Sequence, residues 1–193
     1  MNKKMNRIKK QQYKVGAIVK IKLADGRFAF GRLMPGVAST ICIYDFIVNE
    51  NEIPYIEEIV NKSVLFCCGL YRFVITKGIF EIVGIKEFSH EEIDEMLPVF
   101  FTQDLVNIND CVIYGFGKKE RKATAIECIN LERSSVWGAE NIIERIEDHY
   151  AGRKNFYVED QKVILSKDDP RYLAPPGALR WDFEKQKFYR IDK

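Results

Sequence analysis

The sequence predicts an α+β fold, a single domain dominated by a curled antiparallel sheet with two or three short-to-medium helices. Residues 15–46 form three successive segments in which apolar and polar residues alternate, separated by turn residues. Several apolar, β-branched segments follow later in the chain. A twelve-residue stretch near the middle of the second half repeats its apolar residues with helical spacing. Together these patterns favour a sheet built from an N-terminal meander, with helices packed on it.

The meander begins with a strand that has one apolar face. Val19, Ile21 and Leu23 alternate with lysines, so every second side chain points to the same side. Asp25 and Gly26 then favour a tight hairpin turn, because both residues tolerate a positive φ. The sequence therefore predicts a half-buried first strand that turns directly into a second.

The second and third strands complete the meander. In the second, 27–34, Phe28 and Phe30 lie on the face opposite Leu33. The third strand, 39–46, is apolar and β-branched throughout its first half. We expect this meander to be the scaffold on which the rest of the chain packs.

The later elements are predicted from periodicity, capping and turn residues. They are a short helix at 54–61, strands at 63–76 and 79–85, a short helix between Ser89 and Pro98, strands at 98–103 and 111–116, a basic turn at 118–122, the long helix Ala139–Tyr150, a strand at 162–165 and a closing hairpin of 179–183 with 187–191. Ser89 and Glu92 have the spacing of a capping box. Residues 123–131 fit a strand or a helix, and we favour a short helix at 125–131.

Charge divides the chain into two parts. The net charge is +2, but residues 1–14 contain six basic residues and no acidic one. The remainder therefore has twenty-four basic against twenty-eight acidic residues and is mildly acidic. We expect 1–14 to be a basic, disordered arm and 15–193 to be one domain.

The cysteines and the hydropathy favour a cytoplasmic protein. Five cysteines are an odd number, and they lack the paired spacing of metal ligands. We expect free, buried thiols in a reducing compartment. No apolar run approaches the ~18 residues of a membrane span, and the N-terminus lacks the apolar segment of a secretory signal.

Catalytic and metal-binding motifs are not recognisable in the sequence. His90 and His149 have no companion ligands at metal-binding spacing. Cys67 and Cys68 are adjacent in a predicted strand, so their side chains point to opposite faces. The glycines and lysines at 115–119 lack the spacing of a phosphate-binding loop. We therefore predict no catalytic residue, no cofactor site and no metal site.

Two acidic stretches without lysine or arginine, 45–58 and 87–95, are the main surface feature. If they lie on one side of the fold, they form a surface suited to a cationic partner. The alternative is that they are ordinary solvated faces of the domain. The candidate binding residues are Asp45, Glu50, Glu52, Glu57, Glu58, Glu91, Glu92 and Glu95.

Three longer segments, in the same order, resemble a known family. They are KVGAIVKIKLADGRFAFGRL at 14–33, PVFFTQDLVNINDCVIYGF at 98–116 and ATAIECINLERSSVWGAENIIERIEDHYAG at 123–152. The shorter shared motifs are Lys14 with Gly16, Asp25-Gly26-Arg27, Gly31-Arg32, Tyr44-Asp45 and Val136-Trp137. In these segments the chain is similar to the immunity protein 26 family of bacterial polymorphic toxin systems.

This resemblance implies a cytoplasmic immunity protein that binds a cognate toxin domain and blocks it by direct contact, without a cofactor. The acidic residues then become candidate toxin-binding residues. If the toxin is a nuclease, its phosphate-binding cleft is basic, and an acidic surface could occlude that cleft.

Two other classes of function remain as alternatives. A nucleic-acid- or ligand-binding β-rich module could stack bases on Phe28, Tyr44 and Tyr71, with the basic arm along the phosphates. The acidic body of the chain argues against nucleic acid as the partner. An enzyme is the third reading, and no polar constellation in the sequence supports it.

Overall fold

Six strands form the main sheet. They are Ala17–Lys22 (β1), Phe28–Met34 (β2), Thr40–Val48 (β3), Val64–Leu70 (β4), Glu81–Ile85 (β5) and Val136–Trp137 (β10). Their spatial order is β10-β4-β3-β2-β1-β5, and all neighbours are antiparallel except the parallel pair β10 and β4. The predicted meander is confirmed as β1, β2 and β3. The order leaves two separate edge strands, so the sheet is open and not strongly curled, contrary to the predicted curl.

The structure, a computed structural model, describes most of the chain. The described residues are 10–36, 39–89, 91–92, 97–115 and 117–172, together with the backbone of 179–182 and 187–190. The expectations for residues 1–9 of the basic arm, for His90 and for Glu95 fall outside these residues.

A second sheet has four strands and its own small core. The strands are Val99–Gln103 (β6), Cys111–Gly115 (β7), Lys118–Ala123 (β8) and Glu132–Arg133 (β9), in the order β8-β7-β6-β9. Phe101, Ile113 and Val163 are among its buried residues. The predicted closing hairpin is confirmed as the strand pair Leu179–Asp182 (β11) and Lys187–Arg190 (β12).

The helices are short, with one exception. Within the described residues they are Ile56–Val60 (α1), Phe73–Thr76 (α2), Ala139–Tyr150 (α3) and Phe156–Gln161 (α4), with a 3-10 helix at Ile126–Cys128. The helix predicted between Ser89 and Pro98 lies largely outside the described residues. The predicted helices at 54–61 and Ala139–Tyr150 are confirmed. The short helix favoured at 125–131 is the 3-10 turn, and α4 was not predicted.

One face of the main sheet packs against α3. Val19, Ile21 and Leu33 lie on this face, where Ile142 and Ile146 of α3 cover them. All five side chains are fully buried. The apolar residues of β1 on this face therefore contact the apolar stripe of α3, in agreement with the strand and helix periodicities of the two segments.

The opposite face of the main sheet packs against α1. Ile18, Phe30 and Tyr44 form this second core together with Ile59 of α1. The sheet is therefore buried on both faces. This explains why β3 is apolar at successive positions, whereas a strand with one wet face alternates.

The segment predicted as one strand at 63–76 is two elements, and that prediction is wrong at its second half. β4 ends at Leu70, and the four residues of α2 follow. Val74 and Ile75 are adjacent and both fully buried. Both side chains belong to the same core, the one on the α3 side of the sheet. Adjacent residues of a strand point to opposite faces, so a helical turn forms here despite the β-branched side chains.

The predicted basic turn at 118–122 is instead the edge strand β8. Its first five side chains are all exposed and all charged. An edge strand with both faces in solvent carries no apolar alternation, and charged side chains at such an edge discourage pairing with other chains. The sequence pattern of a buried strand is therefore missing, and the strand was read as a turn.

The predicted strand at 162–165 is extended but pairs with no strand. The amide of Gln103 takes the place of a partner strand there. Gln103 Nε2 donates to the Ile164 carbonyl at 2.7 Å, and the Ile164 amide donates to Gln103 Oε1 at 2.9 Å. Val163 and Ile164 are both buried, so this segment closes one side of the second sheet.

Two residues of the predicted arm contact the main sheet. Gln11 Nε2 donates to the carbonyls of Ile75 and Phe80 at 3.0 and 2.8 Å. The Tyr13 hydroxyl lies 3.0 Å from both the amide and the carbonyl of Thr40. The chain at 11–13 is therefore bonded to the body of the domain.

The expectation that all five cysteines are free thiols is wrong for two of them. Cys42 and Cys67 face each other across β3 and β4 and form a disulfide with a Cα–Cα distance of 4.0 Å. Their pairing depends on the strand register, which the spacing of cysteines does not reveal. Cys68, the neighbour of Cys67, points to the opposite face and lies in the main core, as the strand geometry predicted.

The cysteine state leads to a direct prediction. Cys68, Cys111 and Cys128 are free and buried, and burial raises the pKa of Cys68 to about 12 and that of Cys111 to about 11. Because the thiolate is the reactive form, we expect little reaction in the native state. In denaturant, a thiol reagent should detect three thiols per chain without reductant and five after reduction. Five thiols without reductant would contradict the disulfide.

Candidate functional site

The two acidic stretches approach each other on the α1 face of the main sheet. The Ile56 side chain of α1 lies over Gly84, where an added Cβ would be 2.1 Å from Ile56 Cδ1. Two residues further on, Lys86 Nζ lies 3.6 Å from Glu57 Oε1. The chain after β5 therefore runs beside α1. The two acidic stretches can form one surface only if these two segments are neighbours.

A buried arginine holds the second stretch in place. Arg32 of β2 is fully buried, and its Nη2 donates to the carbonyls of Lys86 and Glu87 at 2.8 and 3.1 Å. Its Nη1 donates to Glu92 Oε1 at 2.9 Å. The Phe88 ring lies against the guanidinium, whose carbon is 3.5 Å from the ring centroid. A single side chain from the sheet thus holds residues 86–88 and Glu92 in place.

Glu92 serves two structural purposes at once. Its Oε2 accepts from the Ser89 amide at 2.7 Å, and the Glu92 amide donates to Ser89 Oγ at 3.1 Å. This is the predicted capping box, and it is confirmed. The hydrogen bond from the Ser89 amide is the main cause that lowers the pKa of the Glu92 carboxyl, and the Arg32 guanidinium is the second cause. The carboxylate is thus bonded within the chain on both of its oxygens.

Asp45 lies on the other side of the sheet, beside the end of α3. Its Oδ1 accepts from the Tyr150 hydroxyl at 2.8 Å and lies 3.7 Å from His149 Nε2. Burial and the adjacent Asp45 carboxylate raise the pKa of Tyr150. Since α3 packs on the face opposite α1, the structure separates Asp45 from the candidates on α1.

The remaining candidates are exposed on the α1 side. In the loop before α1, Glu50 is exposed, and Glu52 Oε1 accepts from Asn49 Nδ2 at 2.5 Å. On α1, Glu57 faces Lys86, and Glu58 lies 4.0 Å from Lys62. Surface ion pairs of this kind contribute little to stability, about 0–1 kcal/mol, so these carboxylates can exchange partners at low cost.

Four exposed carboxylates therefore define a surface that we call the acidic face. They are Glu57, Glu58, Glu87 and Glu91. The first two belong to α1 and the last two to the segment held by Arg32. Residues 86–89, Glu92 and α1 are held on the sheet, so the acidic face is preorganised, which reduces the entropy lost on binding.

The described residues give no support for metal or membrane chemistry at this site. Within them, no group of three histidine, cysteine, aspartate or glutamate residues is arranged to hold a metal ion. No helix in the described part of the chain is long and apolar enough to cross a bilayer.

A comparison with known protein families identifies the family of this chain. The immunity protein 26 family matches residues 14–112, slightly more than half of the chain. The chain belongs to the immunity protein 26 family. No curated protein and no solved structure gives a match.

The immunity protein match covers the whole acidic face. It runs from the start of β1 to the start of β7, and so includes α1, Arg32 and the segment after β5. The resemblance found in the sequence is confirmed over this range. The similar segment at 123–152 lies beyond the match, although it supplies β10 and α3 to the main sheet.

The structure also tests the stacking residues of the nucleic-acid alternative. Tyr44 is fully buried in the α1-side core and cannot present its ring to a base. Phe28 is half-buried, with Lys20 Nζ 4.9 Å from its ring centroid. Of the three, Tyr71 alone is exposed, and its ring stacks on Phe73. The structure of this immunity protein therefore lacks the expected platform of three aromatic rings.

Sequence reasoning missed Arg32 as a site residue of the immunity protein. The available signal was an arginine within the otherwise apolar strand FAFGRLM. A charged side chain in a strand with two buried faces must find partners inside the fold, because an unpaired buried charge is costly. Which partners it finds depends on the path of residues 86–92, which periodicity does not indicate.

Proposed function

We propose that this immunity protein binds a cognate toxin domain directly and neutralises it with its acidic face. Membership of the immunity protein 26 family supports a toxin as the partner. The observation that supports the proposal is the contact of α1 with the chain after β5: Ile56 lies against Gly84, and Arg32 bonds to the carbonyls of Lys86 and Glu87. A cationic surface on the toxin is the matching partner.

The proposed mechanism is occlusion and needs no chemistry from the immunity protein. Binding takes place in the cytoplasm of the producing cell, where the toxin of a polymorphic toxin system would otherwise act. Charge complementarity accelerates the encounter, and a rigid acidic face lowers the cost of association. A nuclease is the toxin class that best fits, since its phosphate-binding cleft is cationic.

Co-expression with the adjacent toxin domain tests the function. The toxin domain encoded beside the gene for this chain is produced alone and together with the immunity protein. We expect growth arrest with the toxin alone, rescue by co-expression, and a stable complex of the purified proteins by calorimetry. Absence of both rescue and binding would overturn the proposed function.

Charge reversal of the acidic face provides a sharper prediction. The triple variant Glu57→Lys, Glu58→Lys, Glu91→Lys should weaken toxin binding by about tenfold or more, chiefly through slower association. The reason is repulsion between the new lysines and the cationic toxin surface. Association rates at two salt concentrations measure this, because screening reduces the electrostatic contribution.

A matched control is available on the opposite face. Glu140 and Glu144 are exposed on α3, so Glu140→Lys, Glu144→Lys changes helical surface charge without touching the acidic face. This variant should keep wild-type affinity. Equal losses in both variants would show that net charge, and not the acidic face, governs binding.

A further inference from the structure

A cleft of about 100 Å³ opens between the two sheets. The main sheet and its loops contribute one wall, and the second sheet contributes the other. The residues that line it include Pro35, Thr40, Pro98, Phe100, Ser134 and Val136. Among the described residues, none of those that line the cleft is charged, and most of its surface is apolar. We call it the inter-sheet cleft.

Large apolar side chains remain exposed at its rim. Val136 lines the cleft and is 47% exposed, although it belongs to β10. Next to β10, the Tyr71 amide donates to the Trp137 carbonyl at 3.1 Å. Tyr71 and Phe73 are 49% and 45% exposed and stack with ring centroids 5.6 Å apart. An apolar cleft with exposed aromatic residues beside it has the composition of an interface hot spot.

Short stretches of chain connect the inter-sheet cleft to the residues that hold the acidic face. Arg32, which holds Glu92, is three residues from Pro35 of the cleft wall, a separation of roughly 10 Å along the chain. Pro98, which also lines the cleft, comes six residues after Glu92 in the sequence. A partner that covers roughly 800 Å² of this protein can therefore contact both surfaces.

A cation at the cleft wall indicates what the occupant carries next to its apolar group. On the second sheet, the Lys118 side chain lies against Gly115 of the cleft wall. Its ammonium group suits a carboxylate placed next to the apolar group.

We infer that the inter-sheet cleft receives one apolar side chain of the toxin domain, flanked by a toxin carboxylate that meets Lys118. This inference rests on the proposed function and adds a second contact to it. The acidic face attracts and orients the toxin, whereas the cleft buries an anchor side chain. Anchors in desolvated pockets carry much of the affinity of such interfaces.

The variant Val136→Asp tests the anchor. It places a carboxylate at the mouth of the cleft, where it repels the toxin carboxylate and removes apolar contact. We expect toxin affinity to fall by at least tenfold, mainly through faster dissociation, in calorimetry and surface-binding kinetics with the purified toxin domain. Ser134→Trp, at another exposed lining position, should give a similar loss by filling the cleft.

The matched control is Val64→Asp. Val64 is 40% exposed at the start of β4, the end of that strand away from the cleft. This variant should bind the toxin like the wild type. Circular dichroism and urea unfolding show whether each variant keeps its fold, and Ser134→Trp keeps the test decisive if Val136→Asp unfolds.

The outcomes separate the two proposals. If the toxin binds the wild type and both cleft variants equally well, the cleft inference is wrong and the proposed function stands. If the toxin does not bind the wild type, the proposed function itself fails. If the wild type is a dimer in sedimentation analysis and Val136→Asp makes it a monomer, the cleft holds a second copy and the inference is overturned.

Discussion

Replacing Arg32 with methionine is expected to lower the free energy of unfolding by about 3–5 kcal/mol, the usual cost of removing one partner of a buried ion pair. Methionine keeps the unbranched aliphatic part of the side chain but is shorter than arginine and donates no hydrogen bond. The carbonyls of Lys86 and Glu87 and one oxygen of Glu92 then lose their donor. Urea unfolding followed by circular dichroism measures the loss.

Arg27→Met is the matched control for this variant. Arg27 pairs with Asp25 at the exposed turn between β1 and β2, so its loss should cost less than about 1 kcal/mol. Hydrogen exchange should show faster opening of residues 84–89 in Arg32→Met and no change in the control. Equal stability of the two variants would contradict the role assigned to Arg32.

The same contact has a pH signature. The lowered pKa of Glu92 means that its ionised form is favoured by the fold. This contribution is present above the unfolded-state pKa and is lost as pH falls through the lower, folded-state pKa. Arg32→Met should therefore lose less stability on acidification than the wild type does, because part of the acid-sensitive interaction is already gone.

The meander and α3 could be predicted because the spacing of their apolar residues in the sequence matches the spacing of their buried residues. Val19 and Ile21 of β1 alternate with lysines and face the α3-side core, and α3 has an apolar stripe with Ile142 and Ile146 at its centre. Local periodicity is enough in such elements, since each face meets a single environment. The capping box of Ser89 and Glu92 was predictable for a similar reason, because all of its bonds are local.

Elements decided by distant contacts could not be predicted. α2 forms where two adjacent β-branched side chains are both buried, and the segment near Ile164 pairs with the side chain of Gln103. The bond between Cys42 and Cys67 depends on the register of β3 and β4. Each of these features requires knowledge of which residues meet across the fold, and composition does not contain it.

The candidate site divides in the same way. The acidic stretches are visible in the sequence because they lack lysine and arginine. Their arrangement depends on Arg32 and on the contact of Ile56 with Gly84. For this reason Asp45 was grouped with the α1 residues, although the structure places it beside Tyr150 on the opposite face.

The second large effect is expected in the smaller sheet. Phe101 of β6 is fully buried in the core of that sheet, with the Arg133 guanidinium 4.9 Å from its ring centroid. Phe101→Ala should lower the free energy of unfolding by about 3–5 kcal/mol, because it removes apolar contacts and leaves a cavity. Urea unfolding measures the loss, and hydrogen exchange in β6 and β7 locates it.

The neighbouring residue Phe100 separates stability from binding. Phe100 points to the other side of β6, is half-buried and lines the inter-sheet cleft, so Phe100→Ala should cost less stability than Phe101→Ala. It should nevertheless weaken toxin binding, since it removes part of the wall that holds the anchor.

If Phe101→Ala loosens β6 and β7 while β1 to β3 stay protected from exchange, the two sheets open independently. Toxin binding through the acidic face should then persist in that variant, with faster dissociation because the cleft is no longer formed.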